Sequence, residues 1–462
     1  MKTHGPTYDV AVVGAGAAGV AAALASAKTG ARTLLIERDP FPGGDLISGL
    51  PILGTCDSRG NTIVGGVLDE LLDACSRLGG YVGCIFDWRT CWGVCVDPEV
   101  MRLVIVDALK QHGVELMLGG PVRDVDATEK RVHSLYVAGN GDDSPIEANF
   151  VVDCTGDAAV TCLAGGECEK GGPGGELQPV SLIFQMGPVD YGELLRFVRD
   201  CPGEAILADN PIIEKSAKKC ALALYEDSYP YVALSAEGWL LGSAIQSDEM
   251  YPCTAIFMSP TSLSRRELTL NTTRLPNVDA TDSRKLSRAL PVLVEQVKTC
   301  VRFAQEKIPG FEKARLTRVA PRIGVRETRR IIGEHILTTE EVLEARQSPE
   351  GIALGGHHVD IHGTGTDQKR IPVTDGGSYG IPYGCLLPRT LENVLVGGRC
   401  LSSEREANGS ARVMGTCLAT GQAAGTAAAL CADRDCLNVR NLPVNVLQET
   451  LRRDGAVLDA VN

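Results

Sequence analysis

Apolar residues along the 462-residue chain fall into short blocks whose spacing changes between period two and helical period. The first block, YDVAVV at 8–13, has the length of a buried strand. GAGAAG follows and opens an alanine-rich helical stretch reaching about Thr29, and RTLLIE then forms a second strand ending at Glu37. Helical spacing returns over 64–78 and 98–112, as in VLDELLDACSRL and VMRLVIVDALKQ, and short strands follow from about 114. FVVDCTGD at 150–157 and ENVLVGGRC near the other end are further strands that stop at a glycine, and ARVMGTCLATGQAAGTAAAL is a helix with a glycine-rich start. The pattern predicts an α/β chain whose parallel sheet is assembled from both ends of the sequence. Residues 1–160 form the first nucleotide half, 161–384 a mixed α+β lobe with Pro- and Gly-rich joints, 385–440 the returning half, and 441–462 a surface helix.

Composition narrows the partners. The formal net charge is −13 with a pI near 5.2, so the average field repels nucleic acid and anionic membranes. The two long apolar stretches, VAVVGAGAAGVAAALASA and GTCLATGQAAGTAAALCA, are broken by a glycine turn or by Gln422 and threonines. The first reads as a strand, turn and helix and the second as a buried helix, which leaves the cytoplasm as the expected location. Seventeen scattered cysteines include no CxxC, which suits reduced buried thiols, with Cys91 and Cys95 kept as a weak redox pair.

The GAGAAG turn is the most informative motif. Gly14, Gly16 and Gly19 occupy the positions where a tight turn, a close approach to pyrophosphate and helix-on-strand packing each require glycine. Glu37 ends the next strand, where an acid binds a ribose. Strand, glycines, helix, strand and acid in this order predict a dinucleotide site. FPGGDLISGL, the TGD turn and VLVGGRC add more glycine turns than NAD requires. HGTGTD at 362–367 opens no helix and is a poor second nucleotide site, so a dedicated NAD(P)H domain is not expected.

GAGAAG with Glu37, GGDLISGL, TGD, GVRETRRIIGEH, YGIPYGCLLP and the run from VLVGGRC to GQAAGTAAA together resemble the FAD-dependent oxidoreductases of the glutathione-reductase-like superfamily, distantly similar to fumarate reductase flavoproteins. The resemblance spans nearly the whole chain. It implies a Rossmann FAD-binding domain, a parallel sheet plus a small antiparallel meander, with a mixed α+β substrate lobe. It also implies that Gly14, Gly16, Ala17, Ala18, Gly19, Glu37, Arg38, Gly43, Gly44, Ser48, Val122, Thr155, Gly156, Asp157, Gly398, Arg399, Gly415 and Thr416 hold FAD. No histidine lies within 38–56, so the FAD is expected to be non-covalent. Gly384 stands where relatives often carry arginine, and Asp45 where they carry a small or apolar residue, one that either faces solvent or sits near the flavin ring.

Three polar groups are catalytic candidates. In GVRETRRIIGEH, strand alternation puts Arg326, Thr328 and Arg330 on one face with Arg322 in line, and an anion should oppose them. Either a carboxylate substrate or internal partners such as Glu327 and Glu334 answer that need. In ALGGHHVDIHG a strand would align His358, Asp360 and His362, as a metal-ligand set, an acid–base pair or hydrogen-bonded loop residues. No metal is assigned. Tyr379 and Tyr383 of SYGIPYG either serve the substrate, Tyr383 as a proton donor, or close a turn. These residues predict a flavoenzyme moving hydride to or from a small anionic substrate, with a separate carrier or oxygen as its electron partner. An electron-transfer subunit of a larger complex and a flavin-bearing scaffold are the alternatives.

Overall fold

The computed structural model describes residues 8–139, 144–363, 367–434 and 436–461. Strand β1 (Tyr8–Val13), helix α1 (Ala17–Lys28) and strand β2 (Thr33–Glu37) form where the apolar blocks place them. Both strands belong to a seven-stranded sheet that runs from Glu115–Leu118 through β2 and β1 to Ile146–Asp153, all parallel. Val394–Val396, from the far end of the chain, adds in parallel beyond Ile146–Asp153. Val122–Thr128, Arg131–Val137 and the start of Ile146–Asp153 make an antiparallel meander on the same sheet. Within the parallel part, Val12 pairs both Leu35 and Val152, so the central strands are apolar on both faces.

Helix α1 and the Met414–Asp433 helix cover one face of this sheet. Both are built largely of alanine and glycine and are buried on nearly every side. A β-carbon on Gly421 would overlap the Ala18 carbonyl, and one on Gly425 would overlap that of Ala22, so the two backbones touch directly. The expected helices appear as Val67–Arg77 and Pro98–Gln111.

A second layer is an antiparallel five-stranded sheet in the order Val232–Ser235, Ala255–Ser262, Glu267–Asn271, Phe184–Gly187, Arg315–Val319. Its core, around Phe184, Met186, Leu194, Leu241, Leu293 and Phe303, draws its buried residues from between 180 and 325, with Trp88 packed against it. Residues 337–387, by contrast, bury Leu337, Ile352, Tyr379 and Leu386 in the core of the first body. The stretch 161–384 therefore divides between the two cores. The reason is that Gly351–Gly355 and Tyr379–Pro382 pair with each other under the Met414–Asp433 helix. The C-terminal helix, Val444–Arg453, buries Leu447 and Leu451 against that body. Thr364, Gly365 and Thr366 of the HGTGTD run lie outside the described residues.

The face expected for Arg326, Thr328 and Arg330 does not form, because regular strand begins only at Arg329. The Arg329–Ile331 strand pairs with Cys168–Lys170, while residues up to Thr328 bend around the buried Glu327 carboxylate, which takes Gln178 N and Arg405. ALGGHHVDIHG is likewise two strands, Gly351–Gly355 and Val359–His362, with both adjacent histidines in the break between them. Among the described residues no helix is long and apolar enough to cross a membrane.

The direct backbone contact between the two small-residue helices gives a test. Gly425→Ala should overpack that contact and destabilise the protein by about 1–3 kcal/mol, read as a lowered urea midpoint with an unchanged slope.

Candidate active site

A cavity of about 340 Å³ opens along the carboxyl ends of the parallel strands and continues between the two layers. Ligands enter parallel sheets at such strand ends. Gly14, Gly16, Ala17, Ala18, Glu37, Arg38, Val122, Thr155, Gly156, Asp157, Gly398 and Arg399 line its first half, together with Asp45 and Met414. Gly14 has φ +93°, and a β-carbon there would stand 2.5 Å from the Cys154 carbonyl oxygen, so the turn admits only glycine. At Gly16 nothing lies within 4 Å of that position, so its backbone faces open cavity.

Around this turn the remaining members of the glycine set act at one remove from the cavity. Gly19 packs on the Gly14 carbonyl, and a β-carbon on Gly44 would stand 2.8 Å from the Gly16 α-carbon. Gly43 N donates to Ala15 O at 2.7 Å, and the Ser48 hydroxyl closes the same turn on Asp45 O at 2.7 Å. Gly415 packs on Gly54 at the start of the Met414–Asp433 helix. Beside it, the Thr416 hydroxyl is fully buried without a hydrogen-bond partner. The Glu37 carboxylate accepts from Ala15 N and, at 3.0 Å, from Asp39 N.

The TGD turn is held by charge. Arg399 donates to Gly156 O at 2.9 Å and to Asp157 Oδ1 at 2.8 Å, and Thr328 donates to Asp157 Oδ1 at 2.8 Å. Arg38 lies 3.6 Å from the other Asp157 oxygen. Buried Asp153 gathers Thr155 and Thr161, so the turn is rigid before any ligand arrives.

The second half of the cavity is lined by Arg326, His357, His358, Asp360, His362 and Arg412. Arg326 Nη1 donates to Pro179 O at 2.8 Å and to Ser181 Oγ at 2.5 Å. Arg412 donates to Asp360 O at 3.0 Å, and its Nε is buried without a partner. His362 Nε2 donates to Asp360 Oδ2 at 3.1 Å. Burial drives the His362 ring down to about 4, with Arg326 and Arg412 adding to the shift against Asp360. His358 is pushed well down by burial and by His357. Burial opposes ionisation of Asp360, yet His362 and Arg412 hold its carboxyl well below the ordinary range. An acid–base histidine near its ordinary value is therefore not what the fold provides, since all three rings are neutral at pH 7.

Two residues of the expected catalytic set lie elsewhere. Arg330 is 4% exposed and bonded to Ser403 O at 3.1 Å and to Glu327 at 3.4 Å, away from the cavity lining. The Tyr383 hydroxyl donates to Val439 O at 3.0 Å and the Tyr379 hydroxyl meets Ser410 Oγ at 2.7 Å, so both phenols are bonded within the fold. Arg412 and His357 carried no periodic signal in the sequence. Arg412 sits between two helices, and His357 is turned to the cavity only by the break in its strand.

Glycine turns, ribose-type acid and an elongated cavity at the strand ends define a flavin-dependent oxidoreductase. The open backbone at Gly16 and the tight Gly14 turn on the cavity wall fit a bound dinucleotide. The chain belongs to the FAD dependent oxidoreductase family, whose model matches residues 9–451, and its cofactor is FAD. A tRNA uridine 5-carboxymethylaminomethyl modification enzyme of Geobacillus thermodenitrificans is 41% identical over 83 residues, 18% of this chain. The match spans 11% of that relative's length. A geranylgeranyl bacteriochlorophyll reductase-like protein of Thermoplasma acidophilum is 12% identical, with 97% of this chain and 83% of that one covered at a TM-score of 0.42. The flavin-dependent brominase Bmp2 is 12% identical, with 97% and 83% covered at a TM-score of 0.45.

Glu37→Ala should weaken FAD binding by about 1.5–3 kcal/mol, measured by fluorescence titration of the flavin-free protein. Native stability should also fall as the pH drops from 6.5 toward 4. Each buried ring titrates lower folded than unfolded, so the unfolded chain binds the extra protons in that window. The slope, on the order of 1.4 kcal/mol per pH unit per ring, should be shallower in His362→Gln, read from urea unfolding at stepped pH.

Proposed function

We propose that the enzyme transfers hydride between non-covalently bound FAD and a small carboxylate-bearing organic substrate, exchanging electrons with a separate carrier or with oxygen. The observation that carries this reading is Arg326. Its guanidinium sits in the cavity wall on neutral partners, and among the described residues no carboxylate stands within ion-pair distance. Burial and the neighbouring Arg412 push it down to about 10. A desolvated cation of this kind gains most from an anion that brings charge-assisted hydrogen bonds.

FAD, when bound, supplies a hydride acceptor or donor. The chain's own residues orient the substrate and handle its proton. Arg326 and Arg412 would hold the carboxylate from one side of the cavity. With Nε2–H committed to Asp360, His362 keeps Nδ1 as the nitrogen that accepts a proton. A substrate losing hydride from a carbon bearing O–H or N–H would release that proton to His362, and Asp360 would stabilise the imidazolium. The reverse direction returns it. The low proton affinity of His362 keeps the ring in the accepting form across neutral pH.

In this reading the FAD-binding part comprises 1–160 and 385–440, with the glutathione-reductase-like arrangement of parallel sheet and meander. Segment 161–384 supplies the substrate side, and 441–462 braces the first body. Support comes from the cavity itself, whose far wall takes Arg326, His357, His358 and His362 from segment 161–384, with Arg89 and Arg412 added from outside it. Gly14, Gly16, Glu37, Asp157 and Arg399 would meet the dinucleotide, with Gly398 at its flavin end and Gly415 and Thr416 shaping the helix start behind it.

Anaerobic bleaching of the flavin, screened against small carboxylates and their neutral amides, tests the assignment. Arg326→Ala should lower kcat/KM about ten- to a hundredfold with the flavin spectrum and Tm retained. Arg329→Ala should mainly lower Tm, because its Nε supports Asp157 O at 2.7 Å. Amides reducing the flavin as well as carboxylates do, or Arg329→Ala giving the larger kinetic loss, would sink the assignment.

A further inference from the structure

We propose that Cys91, His357 and His358 form a binding site for a zinc-type divalent metal ion in the cavity wall. The three residues are buried, and one ligand atom of each lies within 4.8 Å of the other two. No sequence spacing announces this group. Cys91 immediately precedes the Trp92–Val96 strand, whereas the histidines occupy the break between two later strands.

Local bonding prepares the donors. His357 Nδ1 donates to His358 O at 2.8 Å, which fixes the tautomer and leaves Nε2 with its lone pair, as second-shell carbonyls do for ligating histidines. The two imidazoles are stacked, centroids 3.9 Å apart and planes 28° apart, where strand alternation would have separated them. His358 Nδ1 is buried with no hydrogen-bond partner, a state native folds ordinarily avoid. Around the thiol, Thr90 donates to Cys91 Sγ at 3.5 Å and Asp87 stands 3.9 Å away. The nearby Arg89 is bound by Asp87 at 3.1 Å, so its charge is compensated.

One thiolate and two imidazoles suit zinc better than magnesium or calcium. Side-chain rotation would draw the donors to about 2.0–2.3 Å from the ion, and the thiol would lose its proton on binding. Three protein ligands leave a fourth position, and because both histidines line the cavity, that position opens toward it. An ion there would polarise a substrate oxygen. That last consequence rests on the function proposed above, whereas the metal site itself stands on the three residues alone.

The test uses the FAD-loaded protein, stripped with a chelator and titrated with Zn²⁺ or Co²⁺. One ion per chain should bind at micromolar concentration, and X-ray absorption of the zinc-loaded wild-type protein should read one sulfur and two imidazole nitrogens. Cobalt should add bands to the red of the flavin's own absorption. Cys91→Ser and His358→Gln should each weaken binding on the order of a hundredfold, with FAD content and Tm verifying the fold, while His362→Gln keeps full affinity. Absence of binding by the wild-type protein, a shell with no sulfur or several, or full affinity in both variants would overturn the site. The wild-type absorption spectrum decides even if a variant fails to fold. Metal binding without carboxylate-driven bleaching would count against the function proposed above and leave this site standing.

Discussion

Direct contact between two helices almost without side chains is the constraint on which the rest of the molecule depends. Helix α1 and the Met414–Asp433 helix come from opposite ends of the chain and meet at Ala18–Gly421 and Ala22–Gly425. Because their backbones touch, the helices can lie together on one face of the parallel sheet, with the Gly14 turn beside Gly398 and the start of the later helix. The cavity opens at that junction. A bulkier residue on either helix would separate the turns that line it, so the low side-chain volume of this region is tied to the geometry of the site rather than to helix stability.

Charge divides the cavity into two unlike halves. At the strand ends charged groups have nearby partners, as in Arg399 with Asp157, or Glu37 with two backbone N–H groups. Backbone amides and compensated charges are what a dinucleotide would meet there in the proposed arrangement, and they hold the turns in place. On the far side, Arg326 and Arg412 share the wall with Asp360, and neither arginine is matched by a bidentate carboxylate. Buried positive charge of this kind carries a desolvation cost that folding alone does not offset.

The same wall keeps its histidines neutral. Desolvation dominates over the single carboxylate of Asp360 for His362, and His357 and His358 lie deeper still against each other. Neutral imidazole accepts a proton or binds an ion equally well. What the other nitrogen bonds to, a carboxylate for His362 and a backbone carbonyl for His357, fixes only which nitrogen keeps its lone pair.

The glycine turn, Glu37, the TGD motif and the small-residue helix were legible in the sequence. Their signals are local: a glycine spacing, a strand ending in an acid, a run with no side chains to place. Such features follow from backbone sterics and apolar periodicity within some thirty residues. The arginine- and histidine-lined half of the cavity was not legible in that way. Alternation put Arg330 beside Arg326 and His358 beside Asp360, but alternation holds only where the chain is a regular strand. Glu327 bends one segment, and a break before Val359 turns the other, so Arg330 went to Glu327 and Ser403, His358 went to His357, and Arg412 and Cys91 arrived from elsewhere. Contacts between residues so far apart along the chain are decided by how the two layers pack, and no local pattern encodes them.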